Sequence, residues 1–101
     1  MTLLEKIYTQ LKTTQLVSNA QTFSTQYLAK NKNWYSYQTH MRRDITLGAA
    51  VQCARALRLL IIGNTALSAT QNNVITTAIV AIDQHLAERY HVTALGDVAV
   101  Y

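Results

Sequence analysis

The scarcity of helix-breaking residues is the feature that most constrains the fold of this chain. Its 101 residues include no proline and only three glycines. Long loops and many-stranded β folds need such residues at their turns, so their scarcity favours helices. Half of the residues are hydrophobic and 14% are charged, which is typical of a globular protein rather than a disordered one. A chain of this length is expected to form one domain.

Hydrophobic periodicity predicts an all-α fold, a bundle of five helices followed by a short tail. Ser18 with Gln21, and Ser68 with Gln71, have the spacing of capping boxes at the beginnings of the second and fifth helices. Residues 98–101 have a β-like composition. The predicted helices cover residues 3–14, 19–30, 32–42, 47–62 and 69–90.

The net charge of +4 is concentrated in one segment of the chain. Residues 30–44 carry +3 and residues 1–29 carry +1, whereas the charges cancel over residues 45–101. A compact basic segment is the electrostatic footprint expected for phosphate contact, and it can equally be a solvated surface. Charge alone therefore leaves both interpretations open.

Nothing in the sequence predicts a membrane span or a signal peptide. The longest apolar run, residues 57–62, is interrupted by Arg58 and is far too short to span a bilayer. The N-terminal residues lack the basic start and apolar block of a signal peptide. A single cysteine, Cys53, cannot form an internal disulfide and agrees with a reducing compartment. We therefore expect a cytoplasmic protein in which Cys53 is a buried structural thiol.

The sequence shows no catalytic or metal-binding pattern. His40, His85 and His91 lack metal-ligand spacing with one another, with Cys53 or with the acidic residues. We find no paired carboxylates, glycine-rich phosphate loop or nucleophile–base arrangement. We therefore expect a protein that is not an enzyme and that uses no cofactor, metal or small-molecule effector.

A series of short motifs carries a family resemblance. The motifs are Phe23-Ser24, Leu28-Ala29, Tyr35-Ser36, Ile45-Thr46-Leu47 and Cys53-Ala54-Arg55-Ala56-Leu57. Over roughly residues 4–60 this series resembles the lambda repressor/Cro-type (Xre-like) helix-turn-helix family, and also an uncharacterised family of small bacterial proteins. The first resemblance implies a small plasmid- or phage-type regulator. Its helix-turn-helix would lie between Ser18 and Arg43, with the second of the two helices in the major groove of DNA.

The resemblance also implies which side chains contact DNA. Asparagine can pair with adenine, lysine with guanine, and an aromatic edge can contact a thymine methyl group. The implied base-reading residues are Asn31, Lys32, Asn33, Ser36, Tyr37 and His40. The implied phosphate-binding residues are Ser18, Gln21, Lys30, Arg42 and Arg43.

The sequence departs from the family pattern in and after the turn. Ala29 stands where the family favours glycine, and Gln38 stands where an apolar core residue is normal, so that Met41 is a candidate to replace it. Trp34 and Tyr35 are adjacent and cannot share a face of one helix. Of these two residues, we expect Tyr35 to enter the core.

The fifth helix is apolar on more than one side, which predicts burial against a partner as well as within the chain. Its a/d-like seam can close the core of the monomer or pair across a twofold axis, and we expect it to do both. The expected dimer-interface residues are Ile75, Ile79, Ile82 and Leu86. The predicted organisation is a DNA-binding core of residues 1–62 and a dimerisation helix with its tail over residues 65–101.

Two functional hypotheses follow. The first is a transcriptional regulator, expected to be a repressor, that binds a palindromic double-stranded DNA operator as a homodimer. The second is a small helical interaction module, such as an inhibitor or antitoxin, that does not act through DNA. The clustered cations favour the first, because a module that binds only protein does not need them at a helix-turn-helix.

Overall fold

A computed structural model of the chain describes residues 1–63 and 66–90, and all regular elements within these ranges are helices. The helices are α1 (Leu3–Thr13), α2 (Ala20–Thr22, continuing as a π-helical turn over Phe23–Tyr27), α3 (Trp34–His40), α4 (Leu47–Gly63) and α5 (Ala69–Tyr90). The all-α prediction is confirmed for the described residues, and the predicted tail lies outside them. None of the described helices is both long and apolar enough to cross a membrane.

One hydrophobic core joins the helices. The contact between α4 and α5 is the most extensive, and α1 packs against α5. Small side chains on the inner face of α4 allow the neighbouring helices to approach closely. Those that are fully buried are Ala49, Ala50, Cys53 and Ala54.

The apolar seam of α5 closes this core from the other side. Its members, none of which exposes more than 8% of its surface, are Ile75, Ile79, Ile82 and Leu86. The structure therefore shows the first of the two roles predicted for the seam. Because these side chains are buried within the single chain, a second copy would have to contact other residues of α5.

The N-terminal caps confirm one prediction and correct another. Ser68 and Gln71 form the predicted capping box of α5, in which each backbone amide donates to the other's side-chain oxygen at 3.0 Å. At α2 the predicted box of Ser18 and Gln21 is wrong. The N-cap is Asn19, whose Oδ1 accepts a hydrogen bond from the Thr22 amide at 2.8 Å.

Three helices end in a left-handed residue that is not glycine. The φ angle is 64° at Gln15 after α1, 55° at Ala29 after α2 and 56° at Arg42 after α3. The ends of α1 and α3 are Schellman motifs, in which the amide after the left-handed residue donates to the carbonyl five positions earlier at 2.9 Å. Because an L side chain costs about 1–2 kcal/mol in this conformation, the backbone is strained at all three helix ends.

Glycine should therefore stabilise the protein at these positions. We expect Gln15→Gly and Ala29→Gly each to raise the free energy of unfolding by about 0.5–1 kcal/mol, since the relief of strain exceeds the added freedom of the unfolded chain. Urea unfolding followed by circular dichroism measures the change. The control is Ala56→Gly inside α4, which should lower the stability by about 1 kcal/mol. If Gln15→Gly and Ala29→Gly lowered the stability as Ala56→Gly does, the conclusion that the backbone is strained at these helix ends would be wrong.

The carboxylate of Asp44 ties the loop after α3 to the beginning of α1. Its Oδ1 accepts from the Leu4 amide at 3.0 Å and from the Ile45 amide at 2.7 Å, and its Oδ2 accepts from the Leu3 amide at 3.4 Å. The first amides of a helix lack partners within it and attract negative charge. Burial acts to raise the pKa of Asp44, but these hydrogen bonds and the nearby His85 outweigh it, so that the pKa lies below its ordinary value.

Removal of this charge should destabilise the fold in a pH-dependent way. We expect Asp44→Asn to lower the free energy of unfolding by about 1–2 kcal/mol at neutral pH. Because the folded-state pKa is lowered, the contribution of Asp44 is complete well above the unfolded-state value of about 3.9 and is lost as the pH falls through the folded-state value. The difference between wild type and variant should therefore shrink in urea unfolding at acidic pH. Glu88→Gln, on the exposed surface of α5, is the control, and a pH-independent difference for Asp44→Asn would contradict the assignment.

Candidate nucleic-acid interface

Tyr35 determines which face of α3 points inward. Its ring centroid lies 4.5 Å from that of Tyr8 in α1 and 5.5 Å from that of Phe23 in α2. Burial, followed by the neighbouring Glu5 and Tyr8, raises the pKa of Tyr35 to about 12. Trp34 and Tyr35 are both half-buried and pack against the core, and the ring contacts of Tyr35 with Tyr8 and Phe23 agree with the prediction that Tyr35 faces inward.

A buried hydroxyl group holds the beginning of α3 against α2. Ser24 is fully buried, and its Oγ donates to the Ala20 carbonyl at 2.9 Å and accepts from the Tyr35 amide at 3.0 Å. The Tyr35 amide is one of the first amides of α3, which have no partner within their own helix. Ser24 therefore caps α3 from a neighbouring helix.

The π-helical turn of α2 leads into the left-handed residue Ala29. The Leu28 amide donates to the Phe23 carbonyl at 3.2 Å, and the Lys30 amide donates to the Ser24 carbonyl at 2.9 Å. Ala29 is the position at which the helix-turn-helix family favours glycine, and its φ of 55° is one that glycine adopts without strain. The connection between the helices covers residues 28–33, longer than the tight joint over residues 29–31 that the sequence predicted.

An Asx turn precedes α3 and corrects its predicted length. The Asn31 side-chain oxygen accepts from the Asn33 amide at 2.9 Å, and its carbonyl accepts from the Trp34 amide at 3.1 Å. These bonds keep Lys32 outside the helix, so the prediction that α3 begins there is wrong. The predicted C-terminal end is also too late, because the left-handed Arg42 stops the helix before it.

Gln38 occupies the inner position at which the family has an apolar residue. It is 5% exposed, whereas Met41 is 44% exposed, so the suggestion that Met41 replaces it is wrong. The Gln38 Nε2 donates to the Asp44 carbonyl at 3.3 Å. This hydrogen bond allows a polar side chain to be buried here.

All eleven side chains that the sequence predicts to contact DNA are exposed. Four of them recur at helical spacing from the N-cap of α3 along its outer face, namely Asn33, Ser36, Tyr37 and His40. The others lie in the adjoining turns and at the beginning of α2, and they are Ser18, Gln21, Lys30, Asn31, Lys32, Arg42 and Arg43. The structure thus leaves a continuous row of polar groups on α3 free to meet a partner.

Residues 6–43, which include this row, carry no acidic side chain. Between Glu5 and Asp44 the sequence has six lysines and arginines and no aspartate or glutamate. Within residues 1–63 and 66–90, none of these six cations has a carboxylate at salt-bridge distance, whereas Arg58 of α4 pairs with Asp83 of α5 at 3.2 Å. Residues 6–43 therefore carry a positive charge that no acidic side chain of the same segment balances.

Three of these cations lie over aromatic rings, one of them Lys12 over Tyr8 in α1 and the other two at the ends of α3. The Lys30 Nζ lies 5.7 Å from the centroid of the Trp34 ring, and the guanidinium carbon of Arg43 lies 5.8 Å from that of Tyr37. Such cation–π contacts restrict the positions of long, flexible side chains. Lys30 and Arg43 are thereby held at the two ends of α3.

The remaining reactive groups do not form a second site in the described residues. Burial raises the pKa of Cys53 to about 12, so the thiol stays protonated, and the prediction of a buried structural thiol is confirmed. No group of three potential metal ligands occurs in the part of the chain that the structure describes. His40 is exposed, His85 is half-buried, and His91 lies outside the described residues.

Loss of the Ser24 hydroxyl should loosen α3. We expect Ser24→Ala to lower the free energy of unfolding by about 1–3 kcal/mol, because the partly buried Tyr35 amide loses its acceptor. Hydrogen exchange should show faster exchange of the Tyr35 amide. The control is Thr25→Ala, since the Thr25 hydroxyl donates to the Gln21 carbonyl at 3.0 Å in an exposed position. Equal effects of the two substitutions would contradict the capping role of Ser24.

Fold and site together define a small all-helical protein whose short third helix presents an exposed polar and basic surface. The chain belongs to DUF6626, a family of unknown function, whose model matches residues 4–93. No curated protein and no solved structure matches the chain.

Proposed function

We propose that this protein is a sequence-specific double-stranded DNA-binding regulator of the lambda repressor/Cro-like helix-turn-helix class. In this proposal it is a repressor that binds a palindromic operator as a homodimer. The observation that carries the proposal is the exposed row of Asn33, Ser36, Tyr37 and His40, flanked by cations that form no salt bridge within the described residues.

The packing of α2 and α3 supports the role of α3 as the recognition helix. A recognition helix must be held rigidly on its scaffold so that its side chains meet base edges in a fixed register. Here the Ser24 hydroxyl and the Tyr35 ring fix both the beginning and the rotation of α3. The left-handed Ala29 reverses the chain between the two helices at the position where the family favours glycine.

The outer row of α3 has the chemistry of base readout. Asn33 and Ser36 carry side chains that can both donate and accept hydrogen bonds to base edges. Tyr37 exposes 51% of its surface and offers an aromatic edge to a thymine methyl group. The spacing of these residues along one helix face would allow them to reach successive base pairs in the major groove.

The cations at the two ends of α3 would bind phosphates. Arg42 and Arg43 follow the helix, and Lys30 and Lys32 precede it. The rings under Lys30 and Arg43 reduce the conformational freedom that binding must remove. These contacts would supply salt-dependent affinity, and the outer row of α3 would supply sequence preference.

Fluorescence anisotropy with labelled duplexes at several salt concentrations tests the proposal. The DNA upstream of the protein's own gene is compared with a duplex of scrambled sequence. We expect the double variant Arg42→Ala/Arg43→Ala to flatten the plot of log affinity against log salt by about 4 units on both duplexes, because each of the two copies loses two phosphate contacts. The matched control, Arg55→Ala/Arg89→Ala, removes the same charge from α4 and α5 and should leave the slope nearly unchanged.

A second variant separates base readout from phosphate contact. Ser36→Ala should weaken binding to the specific duplex by about 1–3 kcal/mol and leave both the scrambled duplex and the salt slope unaffected. The absence of any DNA binding at low salt would overturn the proposal and favour the protein-interaction alternative. An equal flattening by the α4–α5 control would also overturn the assignment of the surface.

A further inference from the structure

A second exposed surface lies on α4 and α5, the helices that carry none of the proposed DNA contacts. Leu59 and Ile62 recur on one face of α4 and expose 62% and 79% of their surfaces, and Val80 of α5 exposes 57%. We call these three residues the α4–α5 patch. Large apolar side chains exposed together on a monomer usually mark a contact with a partner.

A groove lies beside the α4–α5 patch, so that this surface is concave as well as apolar. Arg58, Ile61 and Ile62 of α4 and Ile79 of α5 line this groove, whose volume is about 320 Å³. Its apolar lining can accept a side chain from a facing surface. The arginine in the lining is already paired with Asp83 at 3.2 Å, so the groove carries no uncompensated charge.

The outer face of α5 continues this neutral surface. From Ala69 to Ala87 every exposed side chain is alanine, threonine, asparagine, glutamine or valine. Exposed helix faces usually carry many lysines and glutamates, whereas the centres of interfaces are depleted of them. From Ala69 to Ala87 the exposed face of α5 carries no charged residue, and exposed charges appear only at its end, at Glu88 and Arg89. An uncharged stretch of this length is typical of a helix that meets a partner.

We propose that the α4–α5 patch is a twofold interface between two copies of this chain. Each copy has a net charge of +4, concentrated in the first half of the sequence, so two copies repel each other when they approach through α1 to α3. A twofold contact places a surface against itself, so a surface whose exposed charges all have one sign repels its copy, whereas the apolar α4–α5 patch and the uncharged exposed side chains from Ala69 to Ala87 do not. The neutral face also offers nothing to attract a strongly charged partner, whose complement would be found at α3.

This inference deepens the proposed function. It rests on that function because a palindromic operator requires two copies of α3. It assigns the interface to exposed residues of α4 and α5, beside the seam that the core uses. Because Leu59, Ile62 and Val80 are exposed, substitutions there change the surface without opening a cavity in the core.

Sedimentation velocity of the full chain tests the interface. We expect the wild type to sediment at twice its chain mass of 11.3 kDa. Ile62→Glu and Val80→Glu should each raise the dimer dissociation constant by at least about tenfold, because each places two like charges in a desolvated contact. The matched control is Leu47→Glu at the other end of α4, where an apolar side chain is also partly exposed. Circular dichroism verifies that all variants keep their helices.

The possible outcomes test the twofold interface and the proposed DNA binding separately. A wild type that is monomeric at about 100 µM, or a dimer that survives both substitutions, overturns the interface. Binding of the scrambled duplex at low salt is the independent readout. A dimer that depends on Ile62 and Val80 but binds no DNA supports the interface and refutes the DNA proposal. A monomeric wild type that binds DNA refutes the interface and supports the assignment of the DNA-binding surface.

Discussion

The hydroxyl group of Ser24 is the interaction on which the exposed surface of α3 depends. It accepts a hydrogen bond from the Tyr35 amide and donates one to the Ala20 carbonyl, and Ser24 itself is fully buried. A buried amide without an acceptor costs about 1–3 kcal/mol, so rotations of α3 that break this bond are disfavoured. With the ring of Tyr35 against Phe23, one rotational setting remains. In that setting the next two side chains, Ser36 and Tyr37, point to solvent.

Asp44 holds the other end of α3 in place through hydrogen bonds. Its side chain caps the beginning of α1, and its carbonyl accepts the side chain of Gln38. One residue therefore joins the end of α3 to the N-terminus of α1 just before α4 begins. In a small domain the buried apolar area is limited, and such polar links contribute to defining a single arrangement. Glycine-poor helix ends increase the need for these links, because each left-handed residue adds strain.

Patterns within one helix were readable from the sequence, and contacts between distant residues were not. The five helices, the inward direction of Tyr35, the burial of Cys53 and the Ser68–Gln71 box follow from periodicity and local spacing. The bond between Asp44 and the Leu4 amide joins residues that are 40 positions apart, and no local signal predicts it. Gln38 was unexpected in the core for the same reason, since its partner is the Asp44 carbonyl. Periodicity also shows that the seam of α5 is buried without showing what covers it.

The distribution of charge explains why association of two copies would matter for a protein of this size. One short helix such as α3 presents few base-reading side chains, and a single small module buries little DNA surface. Two copies joined through neutral surfaces would keep both cationic regions free, so that their attraction to DNA adds. Joining two sites converts the second binding event into an intramolecular one, which raises affinity without any new type of contact. The apolar α4–α5 patch would join the two copies, and residues 6–43, which have no acidic side chain, would bind DNA in each copy. Both features would compensate for the small size of the domain.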